Sequence, residues 1–223
     1  MAEIYALKLP SDISPERYRS LLGRIGPSQR ERVERFRQKE DAYRTLLGEV
    51  LARVKLGKRI GVPPGCINIL KSKYGKPCLA DTKGIHFNIS HSGEWVVLII
   101  DCESVGIDIE KVVPISPELA DRVFSAQESM DLRQKPEHER VNLFFELWTL
   151  KESYIKAVGV GLTLSLKSFT IRKLPGGEIT LDPPAERYHF KQYDLNTHYK
   201  LSVCSSSPQL PGSVEILGLD DLL

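Results

Sequence analysis

The chain has 223 residues, 41% of them hydrophobic and 27% charged, which suits a folded protein of one large domain or two small ones with a real buried core. Lys and Arg number 31 against 29 Asp and Glu, and so small a net charge, +2, argues against non-specific binding of long nucleic acids. The longest apolar run, Trp95-Val96-Val97-Leu98-Ile99-Ile100, is far short of the roughly 18–20 residues that cross a bilayer, and the start Met1-Ala2-Glu3-Ile4-Tyr5 lacks the basic-then-apolar pattern of a secretion signal.

In chain order, residues 4–9 predict a first strand, and Ser14-Pro15-Glu16-Arg17 opens a short helix. Pro27-Ser28-Gln29-Arg30-Glu31-Arg32 begins a strongly charged helical stretch. From Asp41 the pattern turns amphipathic: Leu46, Leu47, Val50, Leu51 and Val54 recur at helical spacing, and Gly57 suits the helix end. Residues 61–65 read as a turn and 67–70 as a short strand, and Tyr74-Gly75-Lys76-Pro77 reads as a loop. Residues 86–90 and 95–101 read as two strands around a turn at Ser92-Gly93, with a third at 106–110. Pro117 opens a helix reaching to about residue 134, a polar linker covers 135–140, and a long helix covers 141–158, ended by Gly159 and Gly161. Residues 167–174 form a strand, Pro175-Gly176-Gly177-Glu178 a turn, and further strands fall at 188–194 and 198–204. The four cysteines, Cys66, Cys78, Cys102 and Cys204, form no C-x-x-C pair and read as reduced, mostly buried thiols of a cytoplasmic protein. Phe36, Phe144 and Phe145 read as core positions.

A faint internal repeat runs through this order. At an offset of 104, Arg44-Thr45-Leu46 aligns with Trp148-Thr149-Leu150, Val54 with Val158, and the strand at 67–70 with residues 171–174. Two similar α+β lobes meeting face to face would follow, and a cleft between lobes is a common ligand site.

Asp108 and Glu110 lie two apart in Gly106-Ile107-Asp108-Ile109-Glu110, so a strand puts both carboxylates on one face and both isoleucines on the other. Adjacent acids repel unless a cation or basic side chains neutralise them. Alone, the pair also fits an exposed polar face with Lys111 nearby. Glu152 shares one helix face with Trp148 and Lys156 at spacings of four, a pattern that by itself also fits an exposed ion pair. Three hard oxygen donors without a nearby His or Cys favour Mg²⁺ or Mn²⁺ over Zn²⁺, and Mg²⁺ takes further oxygens from phosphates. The three acids together therefore point to a phosphate-bearing substrate.

The strand motif, followed by Trp148-x-x-Lys151-Glu152-Ser153-x-x-Lys156, resembles the paired signature of the phosphopantetheinyl transferase superfamily. Lys39-Glu40-Asp41-Ala42-x-Arg44-Thr45-Leu46-Leu47-Gly48, Tyr74-Gly75-Lys76-Pro77 and His86-Phe87-Asn88-Ile89-Ser90-His91-Ser92-Gly93 resemble its Sfp, or surfactin-synthetase-activating, type. The resemblance runs in order from about Pro27 to the C-terminus. It implies an α+β pseudodimer of two similar α/β lobes with the active site in the cleft between them. Residues 1–104 would take the 3′-phosphate and adenine side of coenzyme A, and residues 105–223 the Mg²⁺ site and carrier-protein contacts.

Residue by residue, the resemblance implies Asp108, Glu110 and Glu152 as metal ligands and Lys156 on the pyrophosphate of coenzyme A. It implies Ser90 and His91 on coenzyme A phosphates, Thr45 and Arg32 around the 3′-phosphate, and Tyr74, Gly75 and Lys76 at the adenine. Carrier contacts map loosely to residues 159–189. Gln29 departs from the pattern, standing where close relatives carry a lysine near the 3′-phosphate, with Arg30 beside it as a substitute. The implied reaction passes phosphopantetheine to the serine of an apo peptidyl or acyl carrier protein, with Glu152 as base and Lys156 neutralising charge. A monomer serving a nonribosomal peptide or polyketide synthetase, and so antibiotic biosynthesis, is the expected setting. The alternative is a non-catalytic coenzyme A- or carrier-binding protein of the same fold, which would be expected to lack one of the three acids. A nucleotide kinase would need a G-x-x-x-x-G-K-[ST] loop, and none is present.

Overall fold

A computed structural model describes residues 1–80, 82–174 and 176–223. The first half runs β1 (Glu3–Lys8), α1 (Pro15–Leu22), α2 (Pro27–Glu34), α3 (Lys39–Ile60), a hairpin of β2 (Ile69–Lys71) and β3 (Pro77–Leu79), then β4 (His86–Ser92) and β5 (Trp95–Asp101). β5 pairs antiparallel with β1 on one side and β4 on the other. All seven of its residues are buried because both faces are covered. Val96, Leu98 and Ile100 pack under Leu46, Leu47, Val50 and Leu51 of α3, while Trp95, Val97 and Ile99 face the second half.

The second half repeats this order: β6 (Val105–Lys111), α4 (Pro117–Val123), α5 (Ala126–Gln134), α6 (Glu137–Val158), a hairpin of β7 (Thr170–Lys173) and β8 (Ile179–Asp182), then β9 (His189–Tyr193) and β10 (Tyr199–Ser205). β10 pairs antiparallel with β6 and β9, as β5 does with β1 and β4. α3 and α6 each span 22 residues and end on a left-handed glycine, Gly61 at φ 74° and Gly159 at φ 78°. The expected α+β pseudodimer is therefore present.

The register of the repeat differs from the sequence expectation in one respect. A methyl group on Gly48 of α3 would lie 3.5 Å from Ile89 and from Val96. In the second half the corresponding neighbours of Glu146 are Gln192 and Lys200. Positions 48 and 146 are 98 apart, whereas β5 and β10 begin 104 apart, at 95 and 199. β5 and β10 follow the expected offset, β2 and β7 begin at 69 and 170 and fall short of it, and pairing Arg44 with Trp148 is out of register by six residues. Amphipathic helices resemble themselves at every turn, which hides such a shift.

The apolar faces of the two sheets share one core: Ile4, Ala6, Val97 and Ile99 against Ile107, Ile109, Leu201 and Val203. β4 and β6 lie side by side, and among the described residues they share no backbone ladder. Side chains replace it: Asn88 Oδ1, Ser90 Oγ and Ser92 Oγ accept the N–H groups of Ile107, Ile109 and Lys111 at 2.9, 3.5 and 3.0 Å. The chain then returns to the first half, where β11 (Glu215–Leu217) pairs in parallel with β1 and Leu217 and Leu222 enter its core.

Several boundaries move. α3 runs through Gly57 to Ile60, because Gly57 serves a close backbone approach: a Cβ there would lie 2.6 Å from the Val62 carbonyl. The charged stretch stops at Glu34 before α3 begins at Lys39. The helix expected at 117–134 is two, broken where Ser125 and Glu128 form a capping box. The expected polar linker already belongs to α6 from Glu137. Pro77 opens β3 rather than closing a loop, the strand expected from 167 starts at Thr170, and β8 and β11, only four and three residues long, were not expected. Pro175 of the expected turn lies outside the described residues. Phe144 and Phe145 are core, but Phe36, just past α2, is 38% exposed. Only Cys204 is buried; Cys66, Cys78 and Cys102 sit on short or peripheral segments and are exposed, and all four are free thiols. No helix among the described residues is long and apolar enough to cross a membrane.

Candidate functional site

Gly106 sets the site's geometry. A Cβ at this position would run into the Ser153 carbonyl and the Ala157 nitrogen, so only glycine lets α6 lie directly on β6. With the helix seated, Ile107 and Ile109 enter the core while Asp108 and Glu110 face the cleft. α6 presents Trp148, Glu152 and Lys156 to the same space. Its rotation is fixed from behind, where Lys151 is fully buried against Glu128 at 2.7 Å and donates to the Phe169 carbonyl at 2.6 Å. Neighbours in sequence thus divide the work: Lys151 anchors inward and Glu152 faces out.

Ile89, Ser90, His91, Asp108, Glu110, Trp148, Glu152 and Lys156 line a cavity of about 350 Å³. A second cavity of about 300 Å³ adjoins it, lined by Tyr74, Gly75, Lys76, Asn88 and Gly159 and sharing Ile89, Glu152 and Lys156. Together they form one cleft across the junction of the halves. Eleven of its residues come from β3, β4, β6 and α6, and nine of the eleven predicted site residues line it.

Asp108 is 3% exposed. Its Oδ1 accepts hydrogen bonds from Ser90 Oγ at 2.9 Å and Lys156 Nζ at 2.6 Å, while its Oδ2 is buried with no partner among the described residues. Glu110 Oε2 accepts from Ser92 Oγ at 2.7 Å. Burial holds the Glu110 carboxyl above its ordinary pKa, and Ser92 and Lys156 draw it back against the repulsion of Asp108. Burial likewise raises Glu152, with Asp108 adding to the rise and Lys156 opposing it. His91 stands at the rim. The protein around it depresses its imidazole pKa first, and Arg44 and Lys156 lower it further.

The three acids line one space without forming a ready cage: among the described residues, no three His, Cys, Asp or Glu groups are close enough to hold an ion as they stand. The donor chemistry nonetheless fits a hard cation. One buried carboxylate oxygen lacks any partner among the described residues, and two neighbouring carboxylates are disfavoured as anions by burial and by repulsion from Asp108.

Arg32 is exposed on the last turn of α2 and Thr45 half-buried on α3, and neither lines the cleft. Arg30 does not stand free beside Gln29; its Nε donates to the Leu22 and Ile25 carbonyls at 2.7 and 3.2 Å. Gly75 has a left-handed φ of 85°, and Tyr74 is exposed beside it. Lys76 is drawn into the structure, donating to two backbone carbonyls. Sequence reasoning missed Ser92 and Asn88 as site residues. The alternation Asn88, Ser90, Ser92 on one side of β4 was the available signal. It missed Arg44 too, whose Nη1 donates to the Gly93 carbonyl at 2.7 Å beside His91.

A family model described as "4'-phosphopantetheinyl transferase superfamily" matches residues 104–204, and one described as "4'-phosphopantetheinyl transferase, N-terminal" matches residues 12–103. Their junction falls where the second copy of the repeat begins. The 4'-phosphopantetheinyl transferase Sfp of Bacillus subtilis (strain 168) is 39% identical over 223 residues, covering 99% of this chain and 100% of its own. The 4'-phosphopantetheinyl transferase gsp of Aneurinibacillus migulanus is 40% identical over 206 residues, 92% of this chain and 86% of its own. The human L-aminoadipate-semialdehyde dehydrogenase-phosphopantetheinyl transferase is 28% identical over 222 residues, 88% of this chain and 72% of its own.

Proposed function

Because the chain belongs to the 4′-phosphopantetheinyl transferase superfamily, we propose that its cleft binds coenzyme A across the junction of the halves, with the pyrophosphate beside Asp108, Glu110, Glu152 and Lys156. The enzyme transfers the 4′-phosphopantetheine arm of coenzyme A to a serine of an apo carrier protein, and as an Sfp-type member it serves nonribosomal peptide synthesis. The observation that carries the site assignment is the convergence of a partnerless buried Asp108 oxygen, two further carboxylates and Lys156 on one cavity.

Asp108, Glu110 and Glu152 would hold Mg²⁺, or Mn²⁺ in its place. When bound, the ion supplies charge neutralisation at the pyrophosphate oxygens. Lys156 adds a second positive charge on the same side of the cleft. Ser90 and His91 face the phosphates as donors from β4. Tyr74, Gly75 and Lys76 form the wall for the adenine, and Thr45 and Arg32 lie farther out toward the 3′-phosphate. In the transfer, the carrier serine Oγ bonds to the β-phosphorus while the bond from that phosphorus to the bridging oxygen breaks. Its electrons leave on adenosine 3′,5′-bisphosphate, and Glu152 takes the serine proton.

Residues 1–104 thus carry the 3′-phosphate and adenine side, and 105–223 the metal ligands and carrier contacts, the latter around 159–189. A cytoplasmic monomer completes the reading, since two lobes in one chain already assemble the cleft. The test is to incubate the protein with coenzyme A, Mg²⁺ and an apo peptidyl carrier and follow the carrier's intact mass. A gain of one phosphopantetheine arm is expected. A bound but unmodified carrier would leave the non-catalytic alternative standing.

A further inference from the structure

Lys76 sits in the loop before β3, in the first half, yet both of its acceptors belong to the second. Its Nζ donates to the Val105 carbonyl at 2.9 Å and to the Ala157 carbonyl at 3.1 Å. Val105 opens β6, which carries Asp108 and Glu110. Ala157 lies in the last turn of α6, which carries Glu152 and Lys156.

The acceptors matter as much as the donor. The last four carbonyls of a helix lack intrahelical partners, and the helix C-terminus favours a cation. Ala157 is among those four, and its carbonyl also takes a bond from Ser104 Oγ at 2.5 Å. Gly159 makes room for the lysine: a Cβ on it would lie 3.1 Å from Lys76 Cδ. An aliphatic stem therefore crosses the helix cap and delivers an ammonium group to two carbonyls, and among the described residues no carboxylate pairs with it. An ammonium desolvated in this way is costly unless hydrogen bonds compensate it, and the two carbonyls are the acceptors that do so.

We propose that Lys76 is a positioning residue: from the first half it ties the start of β6 to the end of α6 and so sets the spacing of the two elements that bear the site's acids and Lys156. The tie exists without any ligand. Only its consequence for turnover rests on the proposed transferase reading.

The test uses the full-length protein without coenzyme A. Lys76→Met keeps the stem and removes the donors. Amide hydrogen exchange in β6 and in the last turn of α6 should accelerate at least tenfold, while the amides of α3 and β5 keep their protection. Lys76→Arg, which restores donors, should bring exchange in both segments back to within about threefold of the parent. In transfer assays Lys76→Met should lower kcat more than it raises KM for coenzyme A. The wild-type protein gives a second measurement, independent of folding in the variants. Couplings across hydrogen bonds from the Lys76 Nζ to the carbonyl carbons of Val105 and Ala157 should be detectable by NMR. Unchanged exchange in Lys76→Met with a raised KM would make Lys76 a ligand contact only and overturn the proposal. So would exchange accelerated evenly over both halves, or absence of both couplings. A chain that fails to transfer phosphopantetheine yet shows the couplings and the local exchange would refute the transferase reading and leave the tie intact.

Discussion

Lys156 Nζ lies 2.6 Å from Asp108 Oδ1, so the lysine of α6 already holds the buried acid of β6 on one oxygen while the other oxygen has no partner among the described residues. Under the proposed function this pair changes partners on binding. Phosphate oxygens draw the lysine and a hard cation takes the acid, and each finds a charge-assisted contact to replace the one it loses.

Gly106→Ala tests the seat of α6 on β6. The added methyl meets backbone atoms of Ser153 and Ala157, which cannot rotate away. Overpacking of this kind costs about 1–3 kcal/mol. Urea unfolding should show that loss together with reduced transfer. An unchanged midpoint would mean that the helix does not need the glycine.

Glu152→Gln removes the proposed base. At saturating Mg²⁺ the variant should lose about 10²–10⁴-fold in kcat, the range for general acid–base catalysis. Near-parental turnover by the variant would remove the base role.

His91 is held below its ordinary pKa by partial desolvation against the protein around it and by its positive neighbours, Arg44 and Lys156. A phosphate placed beside it would favour the imidazolium, so its pKa should rise when coenzyme A binds. An NMR titration of the imidazole with and without coenzyme A measures this. No movement would place the phosphates elsewhere.

Burial depresses Lys76 to a pKa of about 8. The unfolded chain keeps a lysine near 10.4, so between about pH 8 and 10 the unfolded state binds more protons at this residue. Lys76 therefore makes stability rise with pH across that window, and the gain disappears as pH falls through 8. Two groups sense this charge: Cys204, itself raised by burial and giving the opposite slope, and His86, which Lys76 helps to depress. The informative quantity is thus the difference between parent and Lys76→Met in urea titrations at pH 8 and 9.5. The parent should gain stability relative to the variant over that interval, and parallel curves would contradict the burial of the charge.

Much of this site was legible in the chain itself. Period two put Asp108 and Glu110 on one strand face, and steps of four put Trp148, Glu152 and Lys156 on one helix face; the structure has both faces on one cavity. The repeat was visible in element order, but its helical register was not, since Leu46 and Leu150 fit equally well one or two turns apart. The contacts that set distances were the least legible. Lys76 reads as a surface lysine until Val105 and Ala157 are seen beside it, because acceptors 29 and 81 residues away leave no local pattern. Ser92 reads as a turn residue until Glu110 is found 2.7 Å from its hydroxyl. Glycines were ambiguous for the same reason. Gly57 resembles a helix stop, yet it serves a close approach inside α3, while Gly61 is the actual cap.

The most direct measurement compares wild type with Asp108→Ala for transfer to an apo peptidyl carrier, followed by the carrier's intact mass at saturating coenzyme A and Mg²⁺. Loss of at least about 10²-fold in rate, with circular dichroism and the unfolding midpoint preserved, is the expected result. Transfer at the parental rate would show that the acid held by Lys156 is not part of the phosphoryl-transfer site.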